Sequence, residues 1–165
     1  MPPPLVPKRV EDIIFYYYAK LVIGPSSGFA KNYRFIVDAY KKLKAGQLRM
    51  SDYDRELHRL AHEPGICAYC GNRSPKTVPS QLVPTELGGP IGIQNQVLAC
   101  PKCATSKEGR DLVEWWEDEL GKHHDTLPRV PTGLYLKMAY EIHTVNFTLK
   151  ARCSGLSGLF DSKSQ

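Results

Sequence analysis

Four of the five cysteines stand in two pairs, Cys67-x-x-Cys70 and Cys100-x-x-Cys103, with 29 residues between them. A two-residue spacer lets both sulfurs of a pair face one ion. Two such pairs supply four thiolates, enough to close a tetrahedral shell with no position left for water. Gly71, directly after Cys70, suits the tight turn of such a knuckle. The expected cofactor is therefore a structural Zn2+ on Cys67, Cys70, Cys100 and Cys103. The competing arrangement, two disulfides, needs an oxidising compartment. The Pro-rich start, Met1 to Pro7, lacks the charged, apolar and cleavage regions of a signal peptide. An intracellular chain, cytoplasmic or nucleoid-associated, is the expectation. Cys153 is left over and reads as an ordinary free thiol. His58 and His62, at i and i+4, have a spacing that can bind metal. With no Glu beside His58, a structural or surface role is the simpler reading, and His123 and His124 read as solvated.

These side chains need a scaffold, and hydrophobic periodicity outlines it. A helix is expected over 10–23, with Ile13, Ile14, Tyr17 and Leu21 on one face, ended by the Gly24 to Gly28 turn. A second is expected over 29–45, carrying Tyr33, Ile36, Val37, Tyr40 and Leu43 and closed by Gly46. Ser51-x-x-Asp54 resembles a capping box and opens a third that runs to His62, before Pro64. Strands are expected over 77–84 and 96–99, followed by a helix through Leu112, Trp115 and Trp116 that ends at Gly121. After a linker, a last helix over 132–152 shows Leu134, Met138, Ile142, Val145 and Leu149 in one stripe. The expected organisation is a flexible tail (1–9), a helical region (10–63), the cysteine module (64–121), a linker and helix (122–152), and a flexible tail (153–165). Leu156, Leu159 and Phe160 are the candidate anchors in that last tail.

The net charge of +5 is unevenly spread: +4 over 1–63, −2 over 64–121 and +3 over 122–165. Phosphate contacts dominate nucleic-acid affinity, so such binding would lean on the flanking helices. Lys41, Lys42, Lys44 and Arg49 form a basic cluster. It serves either as the cationic complement of a helix C-terminus or as a phosphate-contacting patch. The run Ile13 to Ile23 is interrupted by Lys20 and is too short to cross a bilayer, so no membrane partner is expected.

The segment from Gln81 to Gly89, then Asn95 to Cys100, Cys103, Lys107, Arg110 and Trp115, resembles the HNH endonuclease family in its zinc-stapled form. The resemblance covers about 64–120, roughly a third of the chain. It implies a β-hairpin between the cysteine pairs and a helix after the second. The fold class expected is thus α+β, a mainly helical frame around a zinc-bound, HNH-like, treble-clef-type ββα module. The resemblance also implies phosphate-facing roles for Lys107 and Arg110 and a loop-bracing role for Asn95. At the family's Asp-His pair, metal ligand and general base, this chain reads Ser80-Gln81. At its second metal ligand it reads Ala104. An amide takes up no proton at neutral pH, and a positioned base is typically worth about 10²–10⁴ in rate. Ser80 and Ala104 likewise offer a cation no anionic oxygen or imidazole, so no catalytic divalent metal is expected beside the structural zinc.

The first functional reading is therefore a non-catalytic HNH-like zinc module that binds DNA or RNA, or a nucleoprotein partner. The second is a metal-dependent endonuclease with a divergent site drawing on His58, His62 or Glu86. The third is a protein–protein adaptor using Trp115, Trp116 and the acidic stretch Glu114, Glu117, Asp118 and Glu119.

Overall fold

The computed structural model describes residues 8–160. Helix α1 (Val10–Tyr18) continues through a π-helical turn, Ala19–Ile23, into the short α2 (Gly24–Ser26), giving one rod. Val10, Ile13, Ile14, Tyr18, Ala19 and Val22 are almost wholly buried on it. More than a single stripe is covered because both α3 (Tyr33–Lys44) and α7 (Arg129–Val145) pack on the rod. Helix α4 (Ser51–Ala61) lies against α7 and touches the sheet. Gly133 makes the close approach of α7 feasible. A Cβ there would stand 2.6 Å from Leu57 Cδ1 and 3.2 Å from Val22 Cγ2.

Side-chain caps, which periodicity does not report, set several helix ends. Helix α3 starts at Tyr33 because Asn32 accepts a hydrogen bond from the Phe35 N–H at 3.0 Å. At α4 the expected capping box is replaced by the Asp52 carboxylate accepting from the Arg49 N–H at 3.1 Å. Helix α7 stops at Val145, seven residues before the predicted end. Phe147 takes a left-handed conformation (φ 59°) there, leaving Val145 74% exposed and Leu149 beyond the helix.

The chain then returns to the start of α1. Val10 N–H donates to Ala151 O at 3.0 Å, Glu11 N–H to Leu149 O at 2.9 Å and Cys153 N–H to Lys8 O at 2.9 Å. The expectation of flexible tails is thereby corrected at residues 8–9 and 153–160. Cys153, Leu156 and Leu159 are buried, and His143 donates from Nε2 to Leu159 O at 2.7 Å. The rest of both expected tails, 1–7 and 161–165, lies outside the described residues.

The cysteine pairs sit on a small α+β unit. Strands β1 (Val78–Gln81) and β2 (Gln96–Ala99) pair antiparallel, with Val78 opposite Ala99 and Gln81 opposite Gln96. Helix α5 (Pro101–Lys107) follows at once. The single helix expected as far as Gly121 is in fact two. Glu108 (φ 52°) and Gly109 break it, and α6 (Leu112–Glu114) restarts it into a π-helical turn, Trp115–Glu119. The restart is set by Asp111, whose carboxylate accepts from the N–H groups of Val113 (3.0 Å) and Glu114 (3.1 Å). Among the described residues, no helix is long and apolar enough to cross a membrane.

Candidate metal centre

The first knuckle is a tight hairpin. Ile66 pairs with Arg73, Cys67 N–H donates to Asn72 O at 3.0 Å, and Gly71 adopts φ 75° as it turns back to Cys67 O. Ala68 N–H donates to Leu98 O at 2.8 Å, which ties this knuckle to β2. The second knuckle is the first turn of α5, with Pro101 at its opening position. The four sulfurs of Cys67, Cys70, Cys100 and Cys103 all lie within 4.8 Å of one another. Zn–S bonds of about 2.3 Å give a tetrahedron with edges near 3.8 Å, so small side-chain movements close the set on one ion. In both knuckles the fourth residue donates its N–H to the first sulfur at 3.5 Å, Cys70 to Cys67 and Cys103 to Cys100.

The electrostatics favour a cation among these sulfurs. Burial pushes the Cys67 thiol up, but N–H groups of Cys70, Cys100 and Tyr69 outweigh that and bring it down to about 7. Burial, then the neighbouring sulfurs, push Cys70 and Cys103 up. A cation among the sulfurs would offset the burial and mutual repulsion that oppose ionisation of Cys70 and Cys103. All five cysteines are free thiols. The set is compatible with a structural metal ion such as zinc.

The positions where the HNH resemblance would place a base and metal ligands are occupied by other contacts. Ser80 is buried, with Oγ 2.8 Å from the Tyr69 hydroxyl. The Tyr69 ring in turn meets Trp115 edge to face at 5.1 Å. The Gln81 amide reaches Thr85 Oγ1 at 3.4 Å and Pro90 O at 3.5 Å. Ala104 presents a methyl group on α5. Asn95, fully buried, accepts from Val83 N–H at 3.0 Å and donates to Val83 O (2.9 Å) and Pro90 O (3.0 Å). It therefore fastens the loop between the strands.

Lys107 corrects the expectation of a phosphate contact, because its side chain has no exposed surface. Its ammonium donates to Gln81 O and, at 2.5 Å, to Arg110 O, joining the end of β1 to the break after α5. Burial pushes its pKa down to about 8, against the pull of Asp111. Arg110 is half-buried, donating to Ser106 O at 2.8 Å and pairing with Glu119 at 3.2 Å. Neither residue offers a free cation beside the metal centre.

The basic cluster is divided by the helix that carries it. Lys42 pairs with Asp38 at 3.0 Å, and Lys44 with Asp12 at 2.7 Å across to α1. Lys41 and Arg49 are exposed and carry no ion pair among the described residues. Two cations that the sequence reading passed over, Lys31 and Arg34, share that state. Arg34 and Lys41 are seven residues apart on α3, two turns of one face, and that spacing was the available signal.

The histidines make structural contacts. His58 and His62 stack with ring planes 9° apart, and His62 Nδ1 donates to His58 O at 2.7 Å. Neither they nor Glu86 belong to a group of three ligands close enough to hold an ion among the described residues. His123, His124 and Asp125 do form such a group. However, His124 bridges Glu117 (3.0 Å) and the Tyr17 hydroxyl (3.2 Å), and Lys20 sits 2.9 Å from Asp125. An ammonium already occupies the anionic side of that group. In the acidic stretch, Glu117 and Glu119 are engaged by His124 and Arg110.

Comparison with protein-family models, with curated proteins and with solved structures returns no match. The HNH resemblance accordingly rests on the residues of this chain alone.

Proposed function

We propose that this chain is an HNH-like module in which zinc on Cys67, Cys70, Cys100 and Cys103 holds the fold, hydrolysis has been lost, and nucleic acid is bound by the helical frame. The observation that carries this reading is the fate of the catalytic positions. Ser80 is bonded to Tyr69, Gln81 spans its own loop and Ala104 is a methyl group. No general base and no cation ligand remain there, and each is needed for water to attack a phosphodiester at neutral pH. Support for nucleic acid comes from the exposed cations on the frame, Lys41 and Arg49 with Lys31 and Arg34, and from the net charge of +5.

The test has two arms on the zinc-loaded chain. Supercoiled plasmid incubated with Mg2+ or Mn2+ stays as intact as in the EDTA control, and gel shifts with DNA or RNA weaken steeply as salt rises. Metal-dependent nicking that is lost on changing His58 or His62 would establish the endonuclease instead. Failure to shift either nucleic acid at low salt would favour a protein adaptor.

A further inference from the structure

The basic face of the frame coincides with a cleft. An open-sided cavity of about 1040 Å³ is lined by Phe29, Tyr33 and Val37 together with Lys31, Arg34 and Lys41. A second, of about 610 Å³, includes Tyr16, Lys20 and Arg129 and shares Lys31 and Tyr33 with the first. The two cavities adjoin at these shared residues. Pockets that enclose a small ligand run to roughly 300–1,000 Å³, so the larger cavity, open on one side, suits an extended segment rather than a compact molecule.

Its charge is one-sided. In the larger cavity three cations face one carboxylate, Asp38, which Lys42 already neutralises at 3.0 Å. In the smaller one, Lys20 and Arg129 are paired with Asp125 and Glu56, whereas Lys31, at the junction, has no ion pair among the described residues. Aromatic surface lies between the charges. Phe29 is 46% exposed although it stacks on Phe35, with centroids 4.7 Å apart and planes 28° apart. It follows Gly28, whose left-handed backbone (φ 77°) turns the chain toward α3. Phe35 thus holds the ring from one side, and nearly half of the Phe29 surface stays exposed.

We propose that this cleft is a track for single-stranded nucleic acid, with a base stacked on Phe29 and phosphates held by Lys31, Arg34 and Lys41. The proposal rests on the nucleic-acid reading above and narrows it. A duplex keeps its bases stacked inside and presents only phosphate, so it has no use for an exposed ring. A single strand uses both ring and cations. An acidic peptide matches the charge but likewise gains little from Phe29.

Fluorescence anisotropy on the zinc-loaded full chain tests this, using labelled oligothymidylate, oligouridylate and a DNA duplex of equal length. Both single strands are expected to bind about tenfold or more tighter than the duplex. Phe29→Ala should weaken them about tenfold and leave the duplex unchanged. Lys31→Ala and Lys41→Ala should each lower the salt slope by about one, whereas Lys76→Ala, on the cysteine module, should not. Because Phe29 packs on Phe35, Arg34→Glu on the exposed helix face provides a second variant, and its melting curve checks the fold. Equal affinity for duplex and single strands, indifferent to Phe29, overturns the track and leaves nucleic-acid binding intact. Displacement by polyglutamate as readily as by oligonucleotide also overturns it. Binding of no nucleic acid removes the broader reading as well.

Discussion

Lys107→Met replaces a buried ammonium with an apolar chain of similar length. Two carbonyl oxygens, of Gln81 and Arg110, then lose their donor. Each buried acceptor left unpaired costs about 1–3 kcal/mol, partly offset because a charge no longer has to be held out of water. The net expectation is a loss of about 2–4 kcal/mol, or a melting temperature lower by about 4–16 °C for a chain of this size. Urea or thermal unfolding of the zinc-loaded proteins measures it. Oligonucleotide affinity at low temperature should not change, since the side chain is fully covered. The pH dependence adds a sign. The folded Lys107 titrates near 8, below the ordinary 10.5, so between those values the unfolded chain binds more protons. Stability from this group therefore rises with pH across that window, and the gap between wild type and Lys107→Met should widen. A variant as stable as wild type but weaker on oligonucleotide would refute the reasoning and return Lys107 to the surface.

Other outcomes follow from the same geometry. A Cβ on Gly89 would fall 1.9 Å from Val83 O and 2.9 Å from Asn95 Nδ2. Gly89→Ala should therefore cost at least the roughly 1–3 kcal/mol of over-packing, with amide exchange accelerated in the hairpin loop. Asp111 caps α6 and accepts the Tyr135 hydroxyl at 2.6 Å. Asp111→Ala should cost about 2–4 kcal/mol in urea unfolding, and less than additively in combination with Tyr135→Phe. Burial lowers the pKa of His143 below the ordinary 6.5, against the bond to Leu159 O, so the unfolded chain takes up protons first. Its contribution is complete above about pH 6.5 and falls away below it, so urea midpoints should drop toward about pH 5.5, less steeply in His143→Gln. Stripping the ion with a strong chelator should abolish amide protection in the hairpin and α5, since structural zinc contributes about 10–16 kcal/mol in small zinc peptides.

The parts legible in the sequence were those whose signal is local. The cysteine spacing needs no tertiary information, and the second strand, Gln96–Ala99, has the bounds expected of it, whereas the first stops at Gln81 rather than running on to residue 84. Helix interiors were also legible, because burial follows the 3.6-residue period. The ends were less so, since they depend on single side chains such as Asn32 and Asp111 finding N–H groups. Val145 and Leu149 continue the period of α7, yet the left-handed Phe147 ends the helix between them. The burial of Lys107 was invisible because its acceptors are backbone oxygens, one of them 26 residues away. The run of lysines near the end of α3 looked like one patch, but consecutive positions on a helix face different neighbours. Lys44 turns to Asp12, whereas Lys41 lines the cleft with Arg34. The burial of Leu156 and Leu159 depends on the chain returning to the start of α1, a contact no local window contains.

Anomalous diffraction from crystals grown with zinc and soaked in Mn2+ addresses the main claim most directly, because it locates each ion by element. The account predicts one zinc bound by the sulfurs of Cys67, Cys70, Cys100 and Cys103, with no manganese beside Ser80, Gln81 and Ala104. A manganese ion coordinated in that second place, or a disulfide between Cys67 and Cys70, would contradict it.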